Sequence, residues 1–438
     1  MTVQTVRIGI CGLGTVASGV INIFNRSQSL LNDRSAALLE ICHIGARRDN
    51  TDCDTSTFKV SRDIFAVARD PDVDILVELI GGTTVAKELV ETAIANGKHV
   101  VTANKALLAE HGNELIALAE QAGVALRFEA AVAGGIPIIK TLRESLAGNV
   151  IDSVAGIING TGNFILTEMA SADRTFEDVL AQAQALGYAE ADPTFDVDGT
   201  DAAHKLVILA AIAFGMPLDI KGPFTEGIDC VAPDDLRFAA ELGYRIKHLG
   251  IARRVGDSVD LRVHPTLIPS NKQIANVDGV LNSVMVSGDA IGELVLIGPG
   301  AGSLPTASAV WGDLVDLGRE LGRGQSCPIP ALGVPQEALK DPQRVSKGEV
   351  ESAWYLRFFA QDKPGVMAEI TRLLGSQGIS IESLIQRPPK AGADRVHVVI
   401  ITDRVAGKCI ESALNAIEAL ETVGEHVVAL RVENFEES

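Results

Sequence analysis

The sequence predicts an α/β fold in three parts: a doubly wound parallel sheet, a mixed α+β region and a C-terminal ferredoxin-like unit. Near-continuous apolar strands alternate with Ala- and Leu-rich helices over the first ~130 residues, as in parallel sheets covered on both faces. After Gly134 the strand and helix patterns become less regular. The last ~80 residues follow the β-α-β-β-α-β order of ferredoxin-like units.

The parallel sheet is predicted from a regular alternation of strand and helix patterns. The first strand and helix are expected in TVRIGICGLG and ASGVINIFNRSQSLL. Further strands are expected in LEICHIGARR, VDILVELIGG, GKHVVTANK and VALRFEAAV. Two more helices are expected in VAKELVETAIANG, which Gly97 ends, and in HGNELIALAEQAG.

The middle and the end of the chain contain the remaining predicted elements. GGIPIIKTLRESLAG is a predicted helix with Pro137 in its first turn, and PTASAVWGDLVDLGRELGRG is a long one. Mixed-sheet strands are predicted in VIDSVAGIINGT, IKHLGIARRV, LRVHPTLIP and LNSVMVSGD. Four prolines between residues 327 and 350 indicate a linker. The tail is predicted from WYLRFFAQ, GVMAEITRLLGSQG, ISIESLIQ, RVHVVIITD, ESALNAIEALETV and HVVALRVE.

Composition and charge exclude several classes of partner. The 438 residues carry a formal net charge of −19, which argues against nucleic acid and anionic membrane surfaces. No apolar run approaches the ~20 residues that span a bilayer, and no signal peptide is recognisable, so we expect a cytoplasmic protein. The six cysteines form no close pair and predict neither a zinc site nor a disulfide framework; they are Cys11, Cys42, Cys53, Cys230, Cys327 and Cys409.

A glycine-rich turn follows the first strand. Gly12, Gly14 and Ala17 fit the G-x-G-x-x-G/A pattern between a strand and a helix, where the backbone approaches a pyrophosphate at the helix N-terminus. The pattern predicts a Rossmann-type dinucleotide site, although a glycine turn that only packs is the alternative.

The second strand is followed by two arginines. In dinucleotide-binding folds that bind a free ribose 2′-hydroxyl, an acidic residue stands at this position. Arg47 and Arg48 stand at this position and suit a 2′-phosphate, which favours NADP over NAD. Two alternatives stay open: both arginines are simply solvated, or Asp49 faces a ribose.

A lysine follows an acidic loop at the start of an apolar helix. Asp201 and Lys205 lie four residues apart and share one helix face. The rest of that helix, LVILAAIAF, is apolar all round and must be buried, so the pair is expected to line a cleft; the alternative is a surface ion pair. Lys205 can exchange a proton with a reacting oxygen while Asp201 positions it. Lys105, close to Thr102 at the end of another strand, is a second candidate for a functional lysine. The other acids of the loop can bind a substrate ammonium group, which favours an amino-acid substrate.

Taken together, these motifs resemble homoserine dehydrogenase over nearly the whole chain. The resemblance rests on GLGTVASG, ELIGG, VTANKA, EAAVAGGIPII, GIINGTGNFIL, LGYAEADPTFDVDGTDAAHKL and GPGAGSLPTASAV. The long acidic block that ends in Lys205 is the most specific of them. The tail resembles an ACT domain, so the chain is similar to the monofunctional, ACT-tailed form without a fused kinase.

The resemblance implies an NAD(P)-dependent interconversion of L-aspartate 4-semialdehyde and L-homoserine in threonine, methionine and isoleucine biosynthesis. It implies catalytic roles for Lys205, Asp201 and Lys105, and substrate contacts from Glu190, Asp201, Thr161 and Asp196. The implied cofactor contacts are Gly12, Leu13, Gly14, Thr15, Val16, Arg47, Arg48, Thr102, Lys105, Gly187 and Gly302. The implied ligands of a monovalent cation, usually Na⁺, are Glu129, Val132, Gly134 and Ile136.

The resemblance also suggests the domain organisation. Residues 1–133 are expected to form the NAD(P)-binding domain, completed by a helix over 305–325, and residues 134–304 the catalytic and dimerisation domain. Residues 326–352 are expected to form the linker and 353–438 the regulatory ACT domain, so that catalysis does not need the tail. A homodimer or homotetramer is expected. L-Threonine is the expected effector, at Asp362–Val366; the alternative is a tail that only assembles the oligomer.

Two other functions fit parts of the sequence. An aspartate-semialdehyde dehydrogenase needs an activated cysteine nucleophile, and neither Cys230 nor Cys327 lies in a motif with a histidine. A catalytically inactive amino-acid sensor would have lost Lys205 or the glycine turn, and both are present.

Overall fold

The chain folds into two compact units whose segments alternate along the sequence. The computed structural model describes residues 4–51, 53–324, 329–387, 394–424 and 426–435; Cys327 lies outside them. The first unit contains Met1–Gly160, Asp201–Pro223 and Val280–Pro342, and the second unit contains Thr161–Thr200, Phe224–Gly279 and Gln343–Ser438. No described helix is both long enough and apolar enough to cross a membrane.

A six-stranded parallel sheet is the centre of the first unit. Its strands are β1 (Thr5–Cys11), β2 (Leu38–Gly45), β3 (Lys59–Ser61), β4 (Ile75–Glu78), β5 (His99–Thr102) and β6 (Leu126–Arg127). The helices between them are α1 (Thr15–Ser35), α2 (Ile64–Arg69), α3 (Thr84–Ala95) and α4 (Lys105–Ala122). The strand order β3-β2-β1-β4-β5-β6 is that of dinucleotide-binding folds, which confirms the predicted Rossmann-type doubly wound sheet.

One helix from late in the sequence packs on α1 in this unit. It is α11 (Ser303–Gly322), close to the predicted helix over 305–325. The Trp311 ring stacks on Phe24 at 5.8 Å between centroids, and its Nε1 donates to the Val20 carbonyl at 2.9 Å. Since Trp311 is buried among the apolar residues of α1, α11 contributes to the core of the parallel-sheet region.

The remaining elements of the first unit surround a small antiparallel sheet. They are α5 (Ile138–Lys140), β7 (Ile151–Ile157), α9 (Thr200–Phe214), β11 (Leu281–Gly288) and β12 (Gly292–Pro299). Strand β11 pairs with both β7 and β12. Helix α9 is buried nearly all round, as its apolar sequence predicts.

Two predicted elements are shorter than expected. Strand β6 ends at Arg127, because the chain turns into a 3₁₀ helix where the Glu129 backbone N–H donates to Asp313 Oδ2 at 2.8 Å. The helix predicted over 134–148 begins only at Ile138, and it continues as a π-helix over Thr141–Ser145. Pro137 therefore precedes the helix instead of lying in its first turn.

The second unit combines helices with a second sheet. Its helices are α6 (Gly160–Ala172), α7 (Phe176–Ala185), α8 (Thr194–Val197), α10 (Pro233–Glu241), α12 (Val366–Ser376) and α13 (Gly407–Glu418). Its strands are β8 (Phe224–Thr225), β9 (Tyr244–Val255), β10 (Ser258–Pro269), β13 (Gln343–Arg344), β14 (Glu351–Gln361), β15 (Ile381–Gln386), β16 (Arg395–Thr402), β17 (Val405–Ala406) and β18 (Val428–Val432). The predicted ferredoxin-like unit is confirmed: its strands lie in the order β18-β14-β16-β15, with α12 and α13 packed on one face.

The other face of the ferredoxin-like sheet is covered by helices from the middle of the chain. Tyr355, Val399 and Ile401 share one hydrophobic cluster with Phe164 of α6 and Val179 of α7. Strand β18 also pairs with β10, and β13, within the predicted linker, pairs with β10 as well. The tail and the rest of the second unit therefore share one core, and β13 lies within the predicted linker over 326–352.

Candidate active site

The glycine turn at the end of β1 has a geometry that only glycine permits. Gly12 has φ +99°, and a Cβ there would lie 2.5 Å from the Leu79 carbonyl oxygen. Gly14 is the N-cap of α1, and no atom lies within 4 Å of where its Cβ would stand. The helix N-terminus is therefore open to a ligand, as dinucleotide binding requires.

A cavity of about 810 Å³ lies along this turn. Its walls include five of the predicted cofactor residues, namely Gly12, Leu13, Gly14, Arg47 and Arg48. Thr15 and Val16 follow in the first turn of α1. The Thr15 carbonyl accepts a hydrogen bond from Ser303 Oγ at 2.7 Å, which places Gly302, at φ +117°, close to the start of α1. The structure thus brings most of the predicted cofactor residues together, and the cavity fits a dinucleotide.

Asp49 does not stand free at the arginine end of the cavity. Arg62 Nη2 donates to both of its carboxylate oxygens at 2.8 Å, and Arg62 Nη1 donates to the Ala46 carbonyl at 3.3 Å. Sequence reasoning missed Arg62, because nothing in its surroundings resembles a motif. Arg62 is therefore a third arginine near Arg47 and Arg48, and it forms an ion pair with Asp49.

Thr102 and Asn104 stabilise the loops at the strand ends. The buried Thr102 hydroxyl donates to Glu78 Oε2 at 2.6 Å, and Glu78 Oε1 accepts from the Ile80 N–H at 2.8 Å. Asn104 is the N-cap of α4 and accepts from the Leu107 N–H at 3.1 Å. Thr102 is not among the residues that line the cavity, so its predicted contact with the cofactor stays a prediction.

Lys105, Asp201 and Lys205 meet in one cluster of the first unit. Lys205 Nζ lies 2.8 Å from Asp201 Oδ2, and Lys105 Nζ lies 3.0 Å from Asp201 Oδ1. Lys105 is the first residue of α4, shortly after β5 ends at Thr102, while the other two lie in the first turns of α9. The predicted pair is confirmed as a buried pair, and it includes a second lysine from elsewhere in the sequence.

The electrostatics of the cluster keep its carboxylate ionised. Burial by itself would raise the pKa of Asp201, but the nearby charges of Lys205 and Lys105 outweigh it and lower the pKa to about 2. The side chains of Asp201 and Lys205 are 5% and 12% exposed, whereas that of Lys105 is 33% exposed. Two ammonium groups facing one carboxylate can stabilise negative charge on a substrate oxygen.

The segment after β7 completes the cluster. The Ile158 carbonyl accepts from Lys205 Nζ at 2.7 Å, and Asn159 Nδ2 donates to Asp201 Oδ2 at 2.9 Å. Both residues are buried. Asn159 lies within the motif GIINGTGNFIL, but a lone asparagine after a strand is too common to single out from sequence.

The other predicted substrate residues belong to the second unit. Thr161, at the start of α6, donates through Oγ1 to the Tyr188 carbonyl at 2.8 Å. Gly187 has φ +76°, and Glu190, two residues after Tyr188, is exposed. Asp196 is half-buried in α8. Thr161 therefore contacts the segment that carries Gly187 and Glu190, while Asp196 lies further along the same loop region.

The four predicted cation ligands surround a tight turn in the first unit. Gly134 has φ +44°, and a Cβ there would lie 2.5 Å from the Gly300 carbonyl oxygen. Glu129, Val132 and Ile136 are buried, and the Glu129 carboxylate accepts from the Ile139 and Lys140 N–H groups at 2.9 and 2.8 Å. Burial, with the nearby Asp313 carboxylate, raises the pKa of Glu129 to about 7. Both oxygens of the Glu129 carboxylate accept backbone N–H groups, so the predicted cation site stays a prediction.

Comparisons with known proteins agree with this geometry. Residues 12–129 match the family model of the homoserine dehydrogenase NAD-binding domain, residues 137–315 that of homoserine dehydrogenase, and residues 354–422 that of the ACT domain. The chain is 53% identical to homoserine dehydrogenase from Pseudomonas aeruginosa, across 99% of this chain and all of that one.

Solved structures are similar as well. A homoserine dehydrogenase from Thiobacillus denitrificans has a TM-score of 0.94 at 47% identity, with 99% of both chains covered. A hyperthermophilic archaeal homoserine dehydrogenase in complex with NADPH has a TM-score of 0.60 at 27% identity, with 71% of this chain and 97% of that one covered. With a glycine turn at a dinucleotide cavity and a lysine–carboxylate cluster in the same unit, the chain belongs to the homoserine dehydrogenase family of NAD(P)-dependent oxidoreductases.

Proposed function

We propose that the chain reversibly reduces L-aspartate 4-semialdehyde to L-homoserine with NADPH, on the route to threonine, methionine and isoleucine. The observation that carries this proposal is the cluster of Lys105, Asp201 and Lys205. Lys105 follows β5 and Gly12 directly follows β1, and these parallel strands end at the same edge of the sheet. Ligands of such sheets bind at this edge.

The bound cofactor supplies hydride chemistry, and the chain supplies the proton and the charges. In reduction, the Lys205 ammonium donates a proton to the substrate oxygen as negative charge grows there; in oxidation, its neutral amine removes the hydroxyl proton. Asp201, ionised because its pKa is about 2, holds this amine in place. Lys105 adds a second positive charge beside the same oxygen.

The amino-acid end of the substrate is proposed to bind Glu190, Asp196 and Thr161. Glu190 and Asp196 provide negative charge for the substrate ammonium, and Thr161 positions the segment that carries Glu190 through its bond to the Tyr188 carbonyl. Gly187 and Gly302 contact the cofactor together with the glycine turn, Thr102 and Lys105.

NADP is the preferred cofactor in this proposal. Arg47 and Arg48 at the cavity hold the 2′-phosphate, and Asp49, which could have faced a ribose hydroxyl, is engaged by Arg62 instead. The structural relative crystallised with NADPH supports the same choice.

A sodium ion is proposed at Glu129, Val132, Gly134 and Ile136, where it would hold the turn before α5.

The chain works as a homodimer or homotetramer in the cytoplasm. L-Threonine inhibits it from a site near Asp362–Val366, where Gly365, at φ +94°, precedes α12.

Replacing the proton-transferring lysine tests the proposal. In Lys205→Ala, kcat for homoserine oxidation is expected to fall by ~10²-fold or more, the usual contribution of general acid–base catalysis, while NADP affinity in a fluorescence titration stays unchanged. Lys87→Ala is the matched control, since Lys87 also forms an i,i+4 pair, with Glu91, in the same unit. Turnover in Lys205→Ala within about 3-fold of wild type would show that Lys205 belongs to a structural ion pair only.

A further inference from the structure

We propose that Asn159 is a positioning residue for the proton transfer, acting on Lys205 through Asp201. The inference rests on the proposed role of Lys205 as proton donor and acceptor. Asn159 is 5% exposed and stands between the end of β7 and the start of α6. Its amide group contacts the one carboxylate that both lysines share.

The backbone around Asn159 is held firmly in the first unit. Strand β7 pairs with β11 up to Ile157, and the Gly160 backbone packs so closely that a Cβ there would lie 2.9 Å from the Val280 carbonyl oxygen. The two residues between these fixed points, Ile158 and Asn159, are both buried. Groups presented from this segment therefore have little freedom to move.

The segment of Ile158 and Asn159 fixes the Lys205 ammonium by two contacts, one direct and one through Asp201. The Ile158 carbonyl accepts directly from Lys205 Nζ at 2.7 Å, and Asn159 holds Asp201 Oδ2, which is 2.8 Å from the same Nζ. An ammonium group has three N–H bonds. With two of them directed at fixed acceptors, the direction of the third is set, and this third bond is the one available to a substrate oxygen.

Asn159 also divides the carboxylate between the two lysines. Asp201 Oδ2 receives Lys205 and Asn159, while Oδ1 receives Lys105. If the Asp201 carboxylate rotated, it would lose its hydrogen bond from Asn159 and its contacts with both lysines. The Asn159 amide therefore keeps the two lysines on separate oxygens. An amide donates a hydrogen bond here without adding charge. An aspartate at this position would have no proton to donate, and its negative charge would repel that of Asp201.

Two variants of different chemistry test the inference. Asn159→Ala removes the donor, and kcat is expected to fall by about 10- to 100-fold, the scale of a small misplacement of a reacting group. Asn159→Asp keeps the size but adds negative charge, which favours the protonated amine. In homoserine oxidation we therefore expect a larger loss at neutral pH, with the rise of turnover shifted to higher pH.

The readouts separate positioning from a structural role. Turnover is expressed per site that binds NADP in a fluorescence titration, so an unfolded fraction does not count. Asn113→Ala is the control, because the Asn113 amide, two turns along α4 from Lys105, hydrogen-bonds to the Leu218 backbone in the same unit. This control is expected to lower thermal stability without changing kcat per site or its pH profile.

A double-mutant cycle with Lys205→Ala gives the sharpest outcome. If Asn159 acts through Lys205, Asn159→Ala causes no further loss of kcat once Lys205 is gone. A loss that adds independently in that background, or turnover of Asn159→Ala within about 3-fold of wild type, overturns the inference. If Lys205→Ala itself retains turnover, the proposed proton route fails instead, whatever Asn159 shows.

Discussion

At the scale of single residues, a buried carboxylate that binds two ammonium groups leaves one surplus positive charge. That surplus suits an oxygen that becomes negative during reaction. The pairing of Asp201 with Lys205 could be predicted, because side chains four apart on a helix face the same way. The additional contact of Lys105 could not, since it joins α4 to α9 and depends on how those helices pack.

The arginines at the cavity yield a prediction about cofactor choice. Changing Arg47 and Arg48 together to Ala is expected to raise KM for NADP by about 10- to 100-fold and KM for NAD much less, because one charged hydrogen bond contributes roughly 1.5–3 kcal/mol. Steady-state kinetics with both cofactors measure the ratio. Arg69→Ala, which does not line the cavity, is the control. An equal rise for both cofactors would show that the arginines do not recognise the phosphate.

At the scale of elements, α10 joins the ferredoxin-like sheet to the rest of the second unit. Asp235 is fully buried near the N-terminus of α10 and accepts from the Ala232 N–H at 2.9 Å. From β14, the Tyr355 hydroxyl donates to it at 3.0 Å and Arg357 Nη2 at 3.0 Å. One carboxylate thus caps a helix and binds two side chains of a strand more than a hundred residues away.

Asp235→Asn is therefore expected to destabilise the protein. Removing one partner of a buried ion pair leaves the Arg357 charge uncompensated, which costs roughly 3–5 kcal/mol. Urea unfolding measures the change. Asp234→Asn is the matched control, because Asp234 is its neighbour but is partly exposed, and it is expected to change stability by less than ~1 kcal/mol. Similar losses in both variants would contradict the proposed importance of Asp235.

Long, strongly patterned elements could be predicted from the sequence, while several short ones could not. The alternation of apolar strands and helices gave the parallel sheet, and the tail pattern gave the ferredoxin-like unit. Strand β12 was not predicted, because Gly292 and Gly298 flank a short apolar run and indicate turns. Helix α10 was not predicted either, although its N-terminal proline and acidic first turn are signals of a helix start. In the site, Asn159 and Arg62 act through contacts made by tertiary packing, which leave no local pattern.

At the scale of the whole molecule, the ferredoxin-like sheet shares a hydrophobic core with the rest of the second unit, and this limits how regulation can be tested. Removing the tail after Ser346 would uncover apolar residues such as Val179 and Leu267, which pack in the same cluster as the ferredoxin-like sheet. Loss of activity in a truncated chain would then report unfolding. A test of the proposed threonine effect therefore needs the full-length chain and a point substitution.

The full-length chain is expected to lose turnover in millimolar L-threonine, and Ala368→Asp is expected to abolish this inhibition. Ala368 is exposed in the first turn of α12. A carboxylate there repels an effector carboxylate at the helix N-terminus, yet it favours the helix itself, so the fold is retained. Ser412→Asp, exposed on α13, is the control and should remain inhibited. A wild-type chain that ignores threonine, or inhibition that persists in Ala368→Asp, would contradict the proposed effector site.

The packing of α11 on α1 has a consequence for synthesis on the ribosome. The glycine turn and the helix behind it emerge early, but Trp311, which stacks on Phe24 and bonds to the Val20 carbonyl, is translated much later. Until then the nascent chain exposes the apolar face of α1 that the finished protein buries. The dinucleotide-binding region can therefore complete its core only after α11 has been translated, and until then this apolar face is open to chaperones that recognise exposed apolar segments.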